Sequence, residues 1–186
     1  LWARKNNAPV WISTYTKNLQ RQLDQETARL VGDPEERRSR IVIRKGRENY
    51  LCLLNMQETF GRLGASNARG ALLGALIARW ARFTRDGDMV GGDFPSWLLS
   101  LFSDVALDYE ARALSPASLG LTDRRGECIY SACPHFKKCF IERSARAARK
   151  ADIVIANHAL VLNQAATDYA LGVAETEEEE AAPGGL

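Results

Sequence analysis

The chain has 186 residues, roughly one domain on a prior of about 100 to 200 residues per domain. Its 46% hydrophobic and 26% charged residues are typical of a globular protein and exclude a collagenous or wholly disordered chain. No apolar run approaches the roughly 18 residues of a membrane-spanning helix, and no basic and apolar leader follows Leu1. We therefore expect a cytoplasmic piece of a longer protein without a membrane partner.

The net charge of +2 conceals an uneven distribution, because a cluster of acids lies near the C-terminus: Glu175, Glu177, Glu178, Glu179 and Glu180. The rest of the chain is more basic than the total suggests. A basic body suits a polyanionic partner, although a merely solvated surface explains the same charge equally well. We expect residues 175–186 to be a flexible acidic connection.

The first elements read as a strand, a turn and a helix. Pro9 to Ser13 is a short apolar run of β-formers, after which Leu19 and Leu23 recur at helical spacing. Thr14 or Thr16 is a candidate N-cap, where hydroxyls and free backbone N–H groups readily bind phosphate. A cap without any ligand is an equally good interpretation of this stretch.

Two further strands are predicted. Ile41 to Ile43 reads as a buried strand, followed by a basic turn at residues 44–47 and then by Cys52. Asp152 to Ala156 reads as a third strand, followed by a helix from Ala159 to Ala170. Strands that alternate with helices predict an α/β fold with a parallel sheet, here interrupted by a helical segment that carries the cysteines.

The middle of the chain shows helical periodicity. Apolar residues from Ala71 to Thr84 follow one face, and a second set repeats the pattern after Pro95, so we expect both sets in the core: Leu72, Leu73, Leu76, Ile77, Trp80 and Phe83; Trp97, Leu98, Leu101, Phe102 and Val105. The glycine-rich residues 85–94 between them should form a loop.

A basic helix is predicted to begin at Phe136. Against the single acid Glu142 it carries six cations: Lys137, Lys138, Arg143, Arg146, Arg149 and Lys150. These cations could hold nucleic-acid phosphates. The neighbouring aromatic residues Tyr130, His135, Phe136 and Phe140 could stack on unpaired bases, although each alone fits a core position as well.

Four cysteines are the most specific feature of the sequence: Cys52, Cys128, Cys133 and Cys139. Four thiolates fill the ligand positions of a cubane iron–sulfur cluster or of tetrahedral zinc. The C-x4-C-x5-C spacing lacks the short knuckles of most structural zinc sites, which favours iron–sulfur without excluding zinc or four unrelated thiols. Arg124, Arg125, Lys137 and Lys138 flank the ligands and would offset the negative charge of a cluster. For His135 and His158 we expect ordinary hydrogen-bonded side chains, because no nucleophile–base arrangement surrounds them.

Several segments, in order, resemble the DinG-type branch of the XPD-like superfamily 2 iron–sulfur DNA helicases. PVWISTYTKNLQRQL resembles helicase motif Ia, and KGRENYLCL resembles the segment that bears the first cluster cysteine. CIYSACPHFKKC resembles the segment with the other three, and ADIVIANHALVL resembles the stretch that precedes the DEAH box. These segments run from Pro9 to Leu162, and the helical middle matches only loosely.

The resemblance implies a [4Fe–4S] cluster held by Cys52, Cys128, Cys133 and Cys139. It implies that residues 1–47 and 151–174 are part of the first RecA-like motor domain and that residues 48–150 are an inserted helical iron–sulfur domain. It also implies a monomeric, ATP- and Mg²⁺-dependent DNA-repair helicase that moves 5′ to 3′, binds single-stranded DNA and junctions, and uses the cluster domain to separate strands. Ser13, Thr14 and Thr16 would touch phosphates of the tracking strand, and Lys137, Lys138, Arg143, Arg146 and Lys150 would add further DNA contacts.

The chain departs from the family pattern because it has no G-x-x-x-x-G-K-[ST] loop, no DEAH sequence and no second motor domain. We therefore expect the phosphate loop before Leu1, the DEAH box after Leu186, and no ATP hydrolysis by this segment alone. The principal alternative is a non-enzymatic zinc or iron–sulfur module that binds nucleic acid. An electron-transfer protein is a third reading, which the long basic helix fits less well.

Overall fold

The structure is a computed structural model that describes residues 3, 5, 8–105, 114–123 and 127–170. The chain divides into two compact units, the first formed by residues 1–45 and 147–186 and the second by residues 46–146. The identification of these units as part of a motor domain and as its insertion stays a prediction. Arg124, Arg125 and the acidic residues 175–186 lie outside the described residues.

The described residues contain strands, α-helices and short 3₁₀ turns. In chain order the strands and α-helices are β1 (Val10–Thr14), α1 (Lys17–Leu30), α2 (Pro34–Arg40), β2 (Ile41–Arg44), α3 (Leu53–Ser66), α4 (Ala68–Phe83), α5 (Trp97–Ser100), α6 (Phe140–Lys150), β3 (Ile153–Asn157) and α7 (His158–Ala170). The 3₁₀ turns span Arg47–Asn49, Tyr130–Ala132 and Phe136–Lys138. In the part of the chain that is described, no helix is long and apolar enough to cross a bilayer.

The first unit is built on a parallel sheet in the order β1-β3-β2. Val154 pairs with Trp11 on one side and with Val42 on the other, and the centre of β3 is fully buried. The predicted α/β fold with a parallel sheet is confirmed. The prediction that Ile41–Ile43 is a buried strand was wrong in one respect, because every residue of β2 is partly exposed at the edge of this sheet.

The second unit has its core between α3 and α4. Leu63, Leu73 and Ile77 are completely buried there. The predicted helix is confirmed, but its buried face is narrower than predicted. Leu72 is 53% exposed and Phe83 is 67% exposed, because these two lie on the side of α4 that faces away from the core.

Residues 96–105 do not form the second long helix that the sequence pattern predicts. The helix α5 has only four residues, and several backbone hydrogen bonds at and after it join residues three apart, as in Leu99 to Ser96 and Val105 to Phe102. Leu99, Phe102 and Val105, which are spaced by three residues, are buried. Trp97 and Leu101, which we expected in the core, are exposed.

The basic helix begins later than predicted. Phe136 starts a 3₁₀ turn, and α6 begins only at Phe140. Lys137 and Lys138 therefore lie on the turn before the helix. Phe140 and Ile141 are buried in the core of the second unit.

Gly87 gives a test of this packing. It has a positive φ of 67°, and a Cβ at this position would overlap the ring of Phe140. We expect Gly87→Ala to lower the free energy of unfolding by about 1–3 kcal/mol, as measured by urea denaturation, because the left-handed conformation and the overlap both oppose a side chain.

The matched control is Gly61→Ala. Gly61 lies inside α3 with open space around its Cα. The control should raise stability by about 0.5–1 kcal/mol, because alanine favours a helix interior over glycine. Equal stability of the two variants would contradict the proposed packing of the loop around Gly87.

Candidate metal centre and nucleic-acid interface

All four cysteines line one cavity in the second unit. Its other walls include Tyr130, His135 and Phe136. Each cysteine is partly buried, and none forms a disulfide. Residues that are far apart in the sequence therefore contribute thiols to the same space.

Backbone hydrogen bonds fix the position of Cys52. The Cys52 N–H donates to the Leu121 carbonyl at 2.8 Å, and the Leu51 N–H donates to the Gly87 carbonyl at 2.9 Å. Side chains of α3 strengthen this junction. Asn55 Nδ2 donates to the Thr122 carbonyl at 2.9 Å, and Thr59 Oγ1 donates to the Leu119 carbonyl at 3.0 Å. The start of α3 is thus fastened to the segment that leads to Cys128.

The x5 spacing between Cys133 and Cys139 follows a 3₁₀ period. Backbone N–H groups of Cys133, Phe136 and Cys139 donate in turn to the carbonyls three residues before them. The two 3₁₀ turns end immediately before Cys133 and Cys139, whose backbones are extended, and both cysteines line the cavity. Phe136, which lies between them, also lines the cavity.

Cys128 lies beside a strained residue. Tyr130 has a positive φ of 48°, which is unusual for a residue other than glycine, and its N–H donates to Cys128 Sγ at 3.4 Å. The guanidinium of Arg47 lies 5.1 Å from the centre of the Tyr130 ring. Arg47 Nε also donates to Asp123 Oδ2 at 2.6 Å, and the Asp123 side chain is only 4% exposed.

Arg47 is the residue of this site that sequence reasoning missed. Burial lowers the pKa of its guanidinium, but the hydrogen bond and charge of Asp123 are the main effects in the opposite direction, and the net result raises the pKa above its usual value. Its Nη2 is buried and has no hydrogen-bond partner among the described residues. Arg47 was recognised only as part of a basic turn, because nothing in the sequence relates it to the distant Asp123.

Two helix N-termini face the thiols. Cys52 is the N-cap of α3, and the Cys139 carbonyl accepts the first hydrogen bond of α6, from Arg143 N–H at 2.9 Å. Helix N-termini carry partial positive charge, which favours anions such as thiolates. Burial raises the pKa of the Cys52 thiol, whereas the N–H groups of Asn55 and Leu54 lower it, and the net shift is upward.

The donor set fits a thiolate-bound metal group in type and number. Within the described residues, however, no three histidine, cysteine, aspartate or glutamate side chains stand close enough to form a closed metal site. The cysteines share a cavity without forming a cage. The cavity also contains the carboxylates of Asp123, Glu127 and Glu142, and Arg47 neutralises the first of them.

The predicted phosphate-binding residues lie at the carboxyl ends of β1 and β3. Thr16 is the N-cap of α1, and its Oγ1 accepts from the Leu19 N–H at 3.2 Å. Ser13 Oγ is exposed and hydrogen-bonds to His158 Nδ1. Thr14 differs from both, because it is 1% exposed and its hydroxyl donates to the Ala156 carbonyl at 3.1 Å. Its hydroxyl is therefore hydrogen-bonded within the sheet.

The predicted basic residues are on the surface. Lys137 and Lys138 are exposed on the 3₁₀ turn, and the exposed cations of α6 are Arg143, Arg146, Arg149 and Lys150. Arg143 lies 5.4 Å from the Phe140 ring centre, and Arg146 lies 5.8 Å from that of Phe136. Of the aromatic candidates for base stacking, Tyr130 is 58% exposed, whereas Phe140 is buried. His135 and His158 are both hydrogen-bonded, as expected.

Comparison with known proteins gives a consistent set of relatives. The chain is 31% identical over 155 residues to the ATP-dependent DNA helicase YoaA of Escherichia coli, which covers 82% of this chain and 22% of YoaA. It is 32% identical over 185 residues to the ATP-dependent helicase DinG of Mycobacterium tuberculosis. This alignment covers 89% of the present chain and 25% of that DinG. It is 29% identical over 162 residues to the 3'-5' exonuclease DinG of Bacillus subtilis. This alignment covers 87% of the present chain and 16% of that protein.

The chain is distantly related to the DinG and YoaA helicases. It spans no more than 25% of the length of these three relatives. No protein-family model matches it. The relation supports the resemblance drawn from the four sequence segments at the level of homology. The role of this chain and the binding of a metal group are therefore proposals.

The Arg47–Asp123 pair can be tested by mutation. We expect Arg47→Ala to lower the free energy of unfolding by about 1–3 kcal/mol in urea denaturation, because buried Asp123 loses its charge-assisted hydrogen bond. The matched control is Arg29→Ala, whose pair with Glu26 is exposed. That variant should change stability by less than about 1 kcal/mol. A comparable effect of both substitutions would show that the Arg47 pair has no special role.

Proposed function

We propose that this chain is part of an ATP-dependent 5′–3′ DNA helicase, in which it contributes single-stranded DNA contacts and a [4Fe–4S] strand-separating domain. The observation that carries the proposal is the convergence of four cysteines, distant in sequence, on one cavity. The homology to DinG and YoaA helicases supplies the activity. The chain itself has neither a phosphate loop nor a DEAH sequence, so ATP and Mg²⁺ would bind to other parts of the parent protein.

Cys52, Cys128, Cys133 and Cys139 would hold the cluster. When bound, the cluster supplies iron–thiolate bonds that cross-link the start of α3 to the two 3₁₀ turns before α6. The residues around the thiols are suited to a negatively charged group. The N-termini of α3 and α6 provide partial positive charge, Tyr130 N–H donates to Cys128 Sγ, and Arg47 balances Asp123. The described thiols line one cavity without forming a closed metal site.

The DNA contacts would come from exposed cations and hydroxyls. Lys137, Lys138, Arg143, Arg146 and Lys150 would neutralise phosphates, and Ser13 and Thr16 would donate to phosphates at the end of the sheet. Thr14 would act from within the sheet, where its hydroxyl bonds to Ala156 and positions the strand end. A monomeric state and a cytoplasmic location remain predictions.

The cluster is tested by metal analysis. The chain purified without oxygen should contain about four iron and four acid-labile sulfide per molecule, because four thiolates complete the ligand set. Cys133→Ser should lose most of both. Hydrogen exchange should then show faster exchange in residues 46–146 than in the parallel sheet, since bound metal contributes folding free energy locally.

The control for this test is Ser131→Ala, because Ser131 is an exposed neighbour of Cys133 that brings no thiol. It should retain both iron and sulfide. Stoichiometric zinc without sulfide would overturn the cluster and would favour a non-enzymatic zinc module that binds nucleic acid. Uniformly faster exchange in the Cys133 variant would contradict a local role.

The DNA contacts are tested by salt dependence. Replacement of Arg143 and Arg146 by glutamate should weaken binding to single-stranded DNA and reduce the slope of log K against log salt by about 1.4, if each arginine contacts one phosphate. The measurement is fluorescence anisotropy at several salt concentrations. The control replaces Arg29 and Arg38 by glutamate, which gives the same change of charge on α1 and α2. An equal loss in the control would show a general effect of net charge.

A further inference from the structure

Phe83 is an exposed aromatic residue outside the site described above. It is the last residue of α4, and 67% of its surface is exposed. An aromatic ring in this position lacks the stabilisation that burial gives to most phenylalanine side chains. The core of the second unit is complete without it, since Leu73 and Ile77 fill the buried side of α4.

Two arginines lie against the Phe83 ring. The guanidiniums of Arg79 and Arg82 are 5.6 Å and 5.9 Å from the ring centre. Among the described residues, neither is paired with a carboxylate. Residues 68–85 contain four arginines and no acid. The end of α4 therefore presents a flat apolar ring in a positively charged setting.

This surface adjoins the N-terminal part of α6. Arg143 Nη2 donates to the Arg85 carbonyl at 2.7 Å, two residues beyond Phe83. Arg143 itself lies over the Phe140 ring. All of these residues belong to the second unit. The proposed DNA-contacting cations of α6 and the Phe83 ring are thus linked by a direct hydrogen bond between their segments.

We propose that Phe83, with Arg79 and Arg82, forms a stacking platform for an unpaired base of single-stranded DNA. The inference rests on the proposed function and adds a site to it. Every base has a π-face that can stack on an aromatic ring or on a guanidinium plane, and the phosphates on either side match the two positive charges. An acidic peptide without aromatic residues would match the charges but offers no aromatic face to the ring.

The test compares two oligonucleotides of equal length and charge, an oligothymidylate and one with abasic sites throughout. The full chain is used as purified without oxygen, and binding is measured by fluorescence anisotropy. Phe83→Ala should weaken oligothymidylate binding about 5- to 150-fold and leave binding to the abasic strand nearly unchanged. Phe83→Tyr, which keeps a ring, should bind like the wild type.

The control is Leu72→Ala, which removes another exposed apolar side chain from the same helix. It should leave both affinities unchanged. An iodouracil-substituted strand should also photo-cross-link to the peptide that contains Phe83 in the wild type and not in Phe83→Ala.

Two results would overturn the platform alone. An equal loss of affinity of Phe83→Ala for both oligonucleotides would show that the ring only positions the arginines. The second result is oligothymidylate binding that is unchanged in Phe83→Ala, while replacement of Arg143 and Arg146 by glutamate still weakens it. That result would show that this face binds another partner such as a protein. Absence of any DNA binding by the wild type would instead refute the proposed DNA contacts, and the platform with them.

Discussion

The backbone hydrogen bonds around Cys52 are the constraint on which the second unit depends. Leu51 and Cys52 donate to Gly87 and Leu121, so one short segment is joined to two others that lie far along the chain. Closing long loops of this kind costs conformational entropy, which the complete burial of Leu51 helps to offset. Metal ligation by Cys52 and Cys128 would close the same loop covalently. Chain packing and the proposed cluster therefore act on the same junction, which explains why four separated thiols can share a cavity before any ligand bond is made.

The parallel sheet could be predicted from the sequence because its strands carry local signals, whereas the role of the cysteine set stays a prediction. β1 and β3 are short runs rich in β-branched residues, bounded by polar residues, and such runs identify strands in any context. The cysteines are identified by residue type and spacing alone. The pairing of Arg47 with Asp123 could not be predicted in this way. Both residues have many possible partners in sequence, and only the folded chain brings these two together beside Tyr130.

Two of the errors in the helical region lie where short turns replace a long helix. Residues 96–105 and 130–139 contain several backbone hydrogen bonds between residues three apart, and Leu99, Phe102 and Val105 are buried at that spacing. A pattern that is searched at 3.6 residues per turn selects Trp97 and Leu101, which are exposed, and omits Leu99, which is buried. The turns Tyr130–Ala132 and Phe136–Lys138 end immediately before Cys133 and Cys139. Of the two segments, only residues 130–139 contribute to the wall of the cysteine cavity.

The exposure of Phe83 follows from a different limit of sequence patterns. Periodicity assigns every apolar residue on a helical stripe to the core, although the core accepts only the residues that reach a neighbouring element. Predictions from local sequence patterns fail most often at residues that are selected for function. The wrong prediction that Phe83 is in the core falls at a residue with arginines at helical spacing from its ring. Arg79 precedes Phe83 by four residues, and Arg143 follows Phe140 by three, so each pair meets on one face of its helix. The same spacing does not expose Phe140, which is buried in the core of the second unit. Whether a ring is exposed therefore depends on the element packed against it, and the arginine spacing alone does not distinguish Phe83 from Phe140.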